Sequence, residues 1–330
     1  MPTFLANPYS VGQLTNAVKI GLVNWHEGAT MSIPKTLEVR SLFWEKDAQE
    51  LNEEHGGFSE SGFSSVTTDD QDYALVTDTE GDSITMTQVK RTVRRKITED
   101  LIEFNKYPKI AALLKRTGTK LWRGYALDLS HRYTFGFDTS YTDRDGRTVT
   151  VTGGAGSAMC ADTVTMNNGD TYDNKLTARL SESSLEDAID LGNGMVDHNG
   201  QQVMPEFSTL ITSRHAATMH TAQRLMKQTM QLDTDLNNMS VFQGAYRHVV
   251  LPYLDSTAGG ARNTSKSRYW FLQDDSLAKD NGLLISSVRT MPTEPEITTD
   301  PDNNTVQFKG KMRYDIGFLD NHFIVGSAAV

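Results

Sequence analysis

The chain has 330 residues, 38% of them hydrophobic and 22% charged, and a mean hydropathy of −0.45. It can bury a core in two domains or one elaborated domain, yet it is polar enough to imply long exposed or partner-dependent segments. No apolar run approaches the ~18 residues of a membrane span, the first ten residues carry no secretory pattern, the single Cys160 excludes an internal disulfide, and a net charge of −10 argues against a sequence-wide nucleic-acid binder.

Residues 1–40 read as an arm: a helical pattern through Val11, Leu14, Ala17, Val18 and Leu22, then an extended piece, Ile33–Val39, broken by Pro34. From Glu45 to Asp82 twelve acids face one base, Lys46. This stretch is poor in core-sized residues, but Tyr73–Val76 and Ile84–Val89 alternate around the turn signal Glu80-Gly81-Asp82, which predicts a long hairpin without a core of its own. The sign then reverses. From Lys90 to Arg123 eleven bases stand against three acids. Within it Thr98 is placed to cap a helix with Glu99 and Asp100 in its first turn, Pro108 must kink or restart that helix, and a long basic helix runs on to about Ser130 despite Gly118. Trp122 on this helix reads as packing.

Residues 133–175 read as short strands and loops, with Gly146, Gly153, Gly154 and Gly156 as turn residues. Ser183–Glu186 reads as a capping box opening a helix that stops near Gly192 and Gly194. A strand at Ser208–Thr212 and a helix from about Arg214 to Gln231 follow, the latter with Ala217, Ala222, Leu225 and Met226 inward. The chain closes with a strand pair. Ile297–Thr299 turns at Asp300–Asn304, and the return strand puts Val306, Phe308, Met312, Tyr314, Ile316 and Phe318 on one face against Gln307, Lys309, Lys311, Arg313 and Asp315 on the other. The class is α+β, with no internal repeat.

Motifs for chemistry are missing. His215 and His220 are five apart and do not share a helical face, the Gly153–Gly156 run lacks phosphate-loop spacing, and no nucleophile elbow occurs. Asp187 with Asp190, or Asp72 with Asp78, could serve as an acid–base pair, though solvated carboxylates are the default. Cys160 could act as a nucleophile only beside a histidine. No catalytic, cofactor or metal residue is assigned.

The order of parts, with the fragments Met159–Asp162, Gly169–Tyr172, Leu180–Ala188, Asp197–Gly200, Pro205–Leu210, Val250–Tyr253, Tyr269–Leu272 and Met312–Asp315, resembles the major capsid protein of tailed double-stranded DNA bacteriophages. That is the Hong Kong 97-type fold, and the likeness is most nearly to the Mu-type major head subunit group. The position after the first fragment where that group often has histidine is here near Val164.

The resemblance implies an N-terminal arm (1–40), an extended β-hairpin loop (41–96), a peripheral domain with a long spine helix (97–179 and 289–330) and an axial domain (180–288). It implies a non-enzymatic protein with no cofactor, built as pentamers and hexamers into an icosahedral shell. Expected partners are a separate scaffolding protein, a portal, decoration proteins in some shells, and packaged double-stranded DNA in weak non-specific contact; no membrane is involved. The expected location is the virion, after assembly in the host bacterial cytoplasm. Alternatives are an encapsulin-like nanocompartment shell and a soluble hydrolase with an unrecognised carboxylate site. A Lys–Asn cross-link, as in some shells of this fold, would need Lys46 with Asn303 or Asn304, and no motif supports it.

Charge suggests where copies would meet. The acids Glu45, Glu50, Glu53, Glu54, Asp69, Asp70 and Asp72 are expected to rest on Lys90, Arg91, Arg94, Arg95 and Lys96 of an adjacent subunit. Replacing Arg94 and Arg95 by glutamate should then block assembly without unfolding the subunit.

Overall fold

The computed structural model describes residues 11–58, 80–104, 106–227, 241–280, 282–291, 295–300 and 305–329. The expected pieces Tyr73–Val76, Asp300–Asn304 beyond its first residue, and the helix end past Lys227 lie outside these residues.

The first element, α1 (Val11–Arg40), runs helically through Pro34. This corrects the extended reading of Ile33–Val39. A proline inside a helix costs about 3 kcal/mol, and here tertiary packing outweighs that cost: Ala17, Trp25, Ala29 and Val39 of α1 are all buried, mostly along the longest later helix, α3 (Tyr107–Thr134). The two helices cross with their backbones almost in contact. A methyl group at Gly28 would lie 2.1 Å from the Lys115 carbonyl oxygen, and one at Gly118 would lie 2.3 Å from that of Trp25. Gly118 is therefore required in α3 despite its poor helix propensity. Gly118→Ala is expected to lose about 2 kcal/mol by equilibrium urea denaturation, because overpacking of up to ~3 kcal/mol outweighs a propensity gain of ~1 kcal/mol; a variant as stable as the parent would refute the tight crossing.

Beneath this helix pair lies a five-stranded sheet. Its long central strand, β15 (Thr305–Phe318), is flanked on one side by β4 (Val89–Ile97) and on the other by β14 (Glu296–Asp300) and then β13 (Leu284–Thr290), to which β1 (Trp44–Asp47) adds in parallel. The period-two reading of β15 holds: its six named apolar residues are buried. Phe308 sits under Gly21, Gly310 admits Trp25 and Leu121, and Tyr314 meets Tyr125 edge-on at 4.7 Å.

A second sheet orders β11 (Arg247–Val250), β10 (Thr209–Thr212), β12 (Trp270–Gln273), β16 (Ile324–Ser327) and β9 (Lys175–Leu176). It is apolar on both faces. Ile211, Phe271 and Ile324 join the core under α3, while Leu210, Trp270, Leu272 and Val325 join a second core under α4 (Glu182–Asn193) and α5 (Ala216–Lys227). The α4 cap is Ser181, whose hydroxyl accepts from the Ser184 amide, so the capping box lies two residues before the expected Ser183. In α5 the buried residues are Thr218, Ala222, Leu225 and Met226; Ala217 is exposed, because the helix begins at Ala216 and sets the stripe one residue later.

The basic stretch is not one helix. Lys90–Lys96 belongs to β4, Glu99–Glu103 forms a short α2, and Pro108 opens α3 in its first turn. The glycine-rich stretch between β6 (Thr148–Thr150) and β7 (Val164–Thr165) is a turn, as read, with Gly156 at φ +75°.

Candidate inter-subunit surface

The acidic segment forms an antiparallel ribbon of β2 (Asn52–Phe58) and β3 (Glu80–Thr87). Glu80-Gly81-Asp82 is thus the start of a strand, not the expected turn, because its backbone pairs with β2 and Asp82 is drawn into the body. Along its described length the ribbon touches the body at several points: Gln88 donates to the Ser287 hydroxyl, the Thr87 amide donates to Asp315, Ile84 packs on Gly317, and farther out Gly57 faces Leu319 and Asp82 lies against Gly154.

The expected acidic contacts divide into three groups. Glu45 holds Arg40 through two hydrogen bonds of 2.7 and 2.6 Å. Glu53 is buried and accepts from the Gln49 amide and the Ser287 hydroxyl; burial pushes its carboxyl up, but these donors outweigh it and hold it below its ordinary range. Both acids are engaged inside their own chain. Glu50, just before the ribbon, and Glu54, on it, are exposed. Asp69, Asp70 and Asp72 lie outside the described residues.

On β4 the alternation of side chains separates the basic residues. Arg91 points inward, where its guanidinium meets Asp143 at 2.9 Å, Asp128 at 3.5 Å and also Asp145. Arg95 turns the same way and donates to the Thr117 hydroxyl of α3 at 3.1 Å. Lys90, Arg94 and Lys96 point outward. The register sets Lys90 opposite Arg313 and Arg94 opposite Lys309, with Lys311 between them across from Thr92. Lys96 lies 3.5 Å from Asp300. Like charges placed directly across a strand pair destabilise it; Glu296 of β14 stands opposite Lys309 on its other side, and the remaining repulsion is one that an anionic partner would relieve.

A second positive surface lies along α3. Lys109, Arg116, Lys120 and Arg123 are exposed at helical spacing, and Arg116 and Arg123 border a cleft of about 360 Å³ that also takes Arg214 and Ser32. Sequence reasoning missed Lys309, Lys311, Arg313 and Arg214. The signal for the first three was visible, since the polar face of β15 carries almost only positive charge, but their alignment with β4 depends on the fold.

The residues weighed for chemistry do not come together. Asp187 and Asp190 are exposed on α4. Cys160 is fully buried, and burial pushes its thiol up. Trp122 is packed, as read, with Arg40 over its ring. Among the described residues no group of three or more His, Cys, Asp or Glu is placed to hold a metal ion, and no helix is long and apolar enough to cross a membrane. Lys46 lies on β1 beside Ser287, whereas Asn303 and Asn304 fall outside the described residues.

No family model matches the sequence, and no curated protein matches it. Solved structures do. The chain is similar to the capsid structure of cyanophage P-SCSP1u at 10% identity and TM-score 0.53, over 88% of this chain and 86% of that one. It is similar to the mature capsid asymmetric unit of bacteriophage PhiM1 at 10% identity and TM-score 0.50, over 87% and 85%. A structure from Mycobacterium phage Ogopogo matches at 13% identity and TM-score 0.50, over 88% and 91%. The fold is that of these phage capsid structures, the Hong Kong 97-type fold expected from the sequence.

Proposed function

We propose that this chain is the major capsid protein of a tailed double-stranded DNA bacteriophage, acting by packing against copies of itself rather than by catalysis. The observation that carries the reading is the likeness to capsid structures across nearly nine-tenths of the chain. The charge layout supports it: an acidic ribbon, and an outward basic ladder in which Lys90 faces Arg313 and Arg94 faces Lys309 across the strands.

In this reading residues 1–40 form the arm, 41–96 the extended loop, 97–179 with 289–330 the peripheral domain, and 180–288 the axial domain around five- and six-fold axes. The acidic loop of one subunit lies on β4 and the adjoining part of α3 in its neighbour, with Glu50, Glu54, Asp69, Asp70 and Asp72 as the partners of Lys90, Arg94 and Lys96. Burying the ribbon there supplies the core it lacks. A separate scaffolding protein, a portal and the packaged genome are further partners. Contact with DNA is weak and sequence-independent, given the acidic chain. The virion is the site of action, reached by assembly in the host cytoplasm.

Negative-stain microscopy of the purified full chain is expected to show closed icosahedral shells, and nucleic acid rather than a cargo protein should fill particles purified from infected cells. A monomer that never assembles, even with the other head proteins co-expressed, would end this reading. Shells enclosing an enzyme would favour a nanocompartment.

A further inference from the structure

The ribbon root enters the body at a buried cluster of carboxylates and imidazoles beside a cavity of about 410 Å³. Asp82 leaves β3 here, and its side chain is only 7% exposed. One of its oxygens lies 3.7 Å from Nε2 of His198, and that oxygen has no hydrogen-bond donor. The Ala155 amide donates to the same carboxylate. Gly154 makes this approach possible, because a methyl group there would come within 2.4 Å of the Asp82 Cβ. The glycine turn is thus a seat for the hairpin root.

Neighbouring carboxylates are better supplied. Asp197 accepts from the Asn199 and Gln201 amides, and Asp274 accepts from those of Glu206, Ser276 and Leu277. Asp320 holds Nδ1 of His322 at 2.5 Å. The other nitrogen of that ring lies 2.8 Å from the Val196 carbonyl oxygen, which can only accept. Nε2 of His322 therefore carries a proton, and the contact with Asp320 is best met if Nδ1 does too, so the geometry is that of a buried imidazolium. Tyr172 stacks on the same ring at 5.0 Å. The Nδ1 of His198 faces the Asn167 amide at 3.4 Å.

We propose that Asp82, Asp320 and His322 form a proton-dependent latch that fastens the root of the acidic ribbon to the body and loosens as the solution becomes alkaline. Asp82 and Asp320 line the same cavity as the charged His322, which offsets the repulsion the two carboxylates would otherwise feel where water screens poorly. Burial pushes the Asp82 carboxyl up, with Asp320 adding to the rise and His198 opposing it. Burial pushes His322 down, but Asp320 outweighs it, and the ring ends above 6.5. Both groups hold protons more tightly in the docked state than when exposed. Docking is therefore strongest at low pH and is lost as the pH rises through the raised value of His322. Asp320 has the opposite sign. Burial raises it, the His322 pair overcomes that, and its contribution is lost only in acid below 3.8. The latch holds below the raised value of His322 and opens above it.

Hydrogen exchange on the full chain tests this, with the Ala155 amide as reporter and each rate normalised to its intrinsic value. Protection at Ala155 should fall by at least about fivefold between pH 6 and pH 8.5, the lower end of the usual coupling between two sites, while the amides of Trp270–Gln273 in β12 stay protected. His322→Gln should show the low value at both pH values. Asp82→Asn keeps an acceptor for Ala155 but removes one of the two repelling charges, so it should stay protected at pH 8.5. If Ala155 is equally protected at both pH values in the parent, or if Asp82→Asn shows the full parental drop, the latch does not exist; the asparagine variant decides the matter alone should His322→Gln fail to fold.

Discussion

Replacing Arg94 by glutamate is expected to abolish shell assembly while leaving the subunit folded, and even slightly stabilised. Arg94 is exposed and stands directly opposite Lys309. In the isolated chain the substitution turns a repulsive cross-strand pair into an attractive one, a gain of about 0.2–1 kcal/mol. Against an acidic ribbon from a neighbour the same change sets like charges together, which costs several kcal/mol at each interface and recurs at every copy in a closed shell. Sedimentation and microscopy should show no particles, with circular dichroism and urea midpoint unchanged or raised. Adding salt should not rescue assembly, because screening weakens the repulsion without restoring an attraction. Normal shells from Arg94→Glu would mean that the ribbon docks elsewhere.

Arg91→Met is expected to act in the opposite way, destabilising the subunit by about 3–5 kcal/mol, the range for removing one partner of a buried ion group. Arg91 is 16% exposed, and it serves Asp143 (3% exposed) and Asp128 (10% exposed), so its loss strands two carboxylates in a place poor in water. Arg144 at 2.9 Å from Asp128 and Arg147 at 3.6 Å from Asp143 make up only part of the lost charge. Asp143 carries a pH signature. Burial raises it, but the amides of Arg147 and Asp145 and the Arg91 guanidinium together hold it low. Its contribution is therefore present at neutral pH and is lost as the pH falls through that depressed value, and Arg91→Met should flatten the acid limb of the stability curve. Retention of parental stability and of the full acid limb would show the cluster to be solvated. Arg91 and Arg94, three residues apart, thus separate folding from assembly.

What the sequence made legible follows from how local each determinant is. β15 could be read because one face is buried along its whole length and alternation records that directly. The start of α3 could be read because Pro108 punctuates it. The strand β4 was harder: Val89, Val93 and Ile97 recur every four residues, a spacing that suits one face of a strand and one face of a helix equally. α1 was cut at Pro34 because the burial that sustains it comes from α3, about ninety residues away. The α4 cap was misplaced by two because Ser181, Ser183 and Ser184 are all able to cap, and only geometry selects among them. The basic ladder was half visible, since β4 supplied its residues while the register with β15 supplied their pairing. The latch was invisible. Asp82 and the Asp320–His322 pair belong to distant segments, and no spacing links them.

The continuity of β3 and β4 has a mechanical consequence. Gln88 alone separates them, and both run beside β15, β4 through nine paired residues and β3 through its contacts at Asp315 and Gly317. Tension applied to the far end of the ribbon is therefore delivered along the strand direction, so the rungs between β4 and β15 are loaded together in shear instead of being peeled one after another. A lattice that swells or is pressurised from within would pull on this joint in its most resistant orientation.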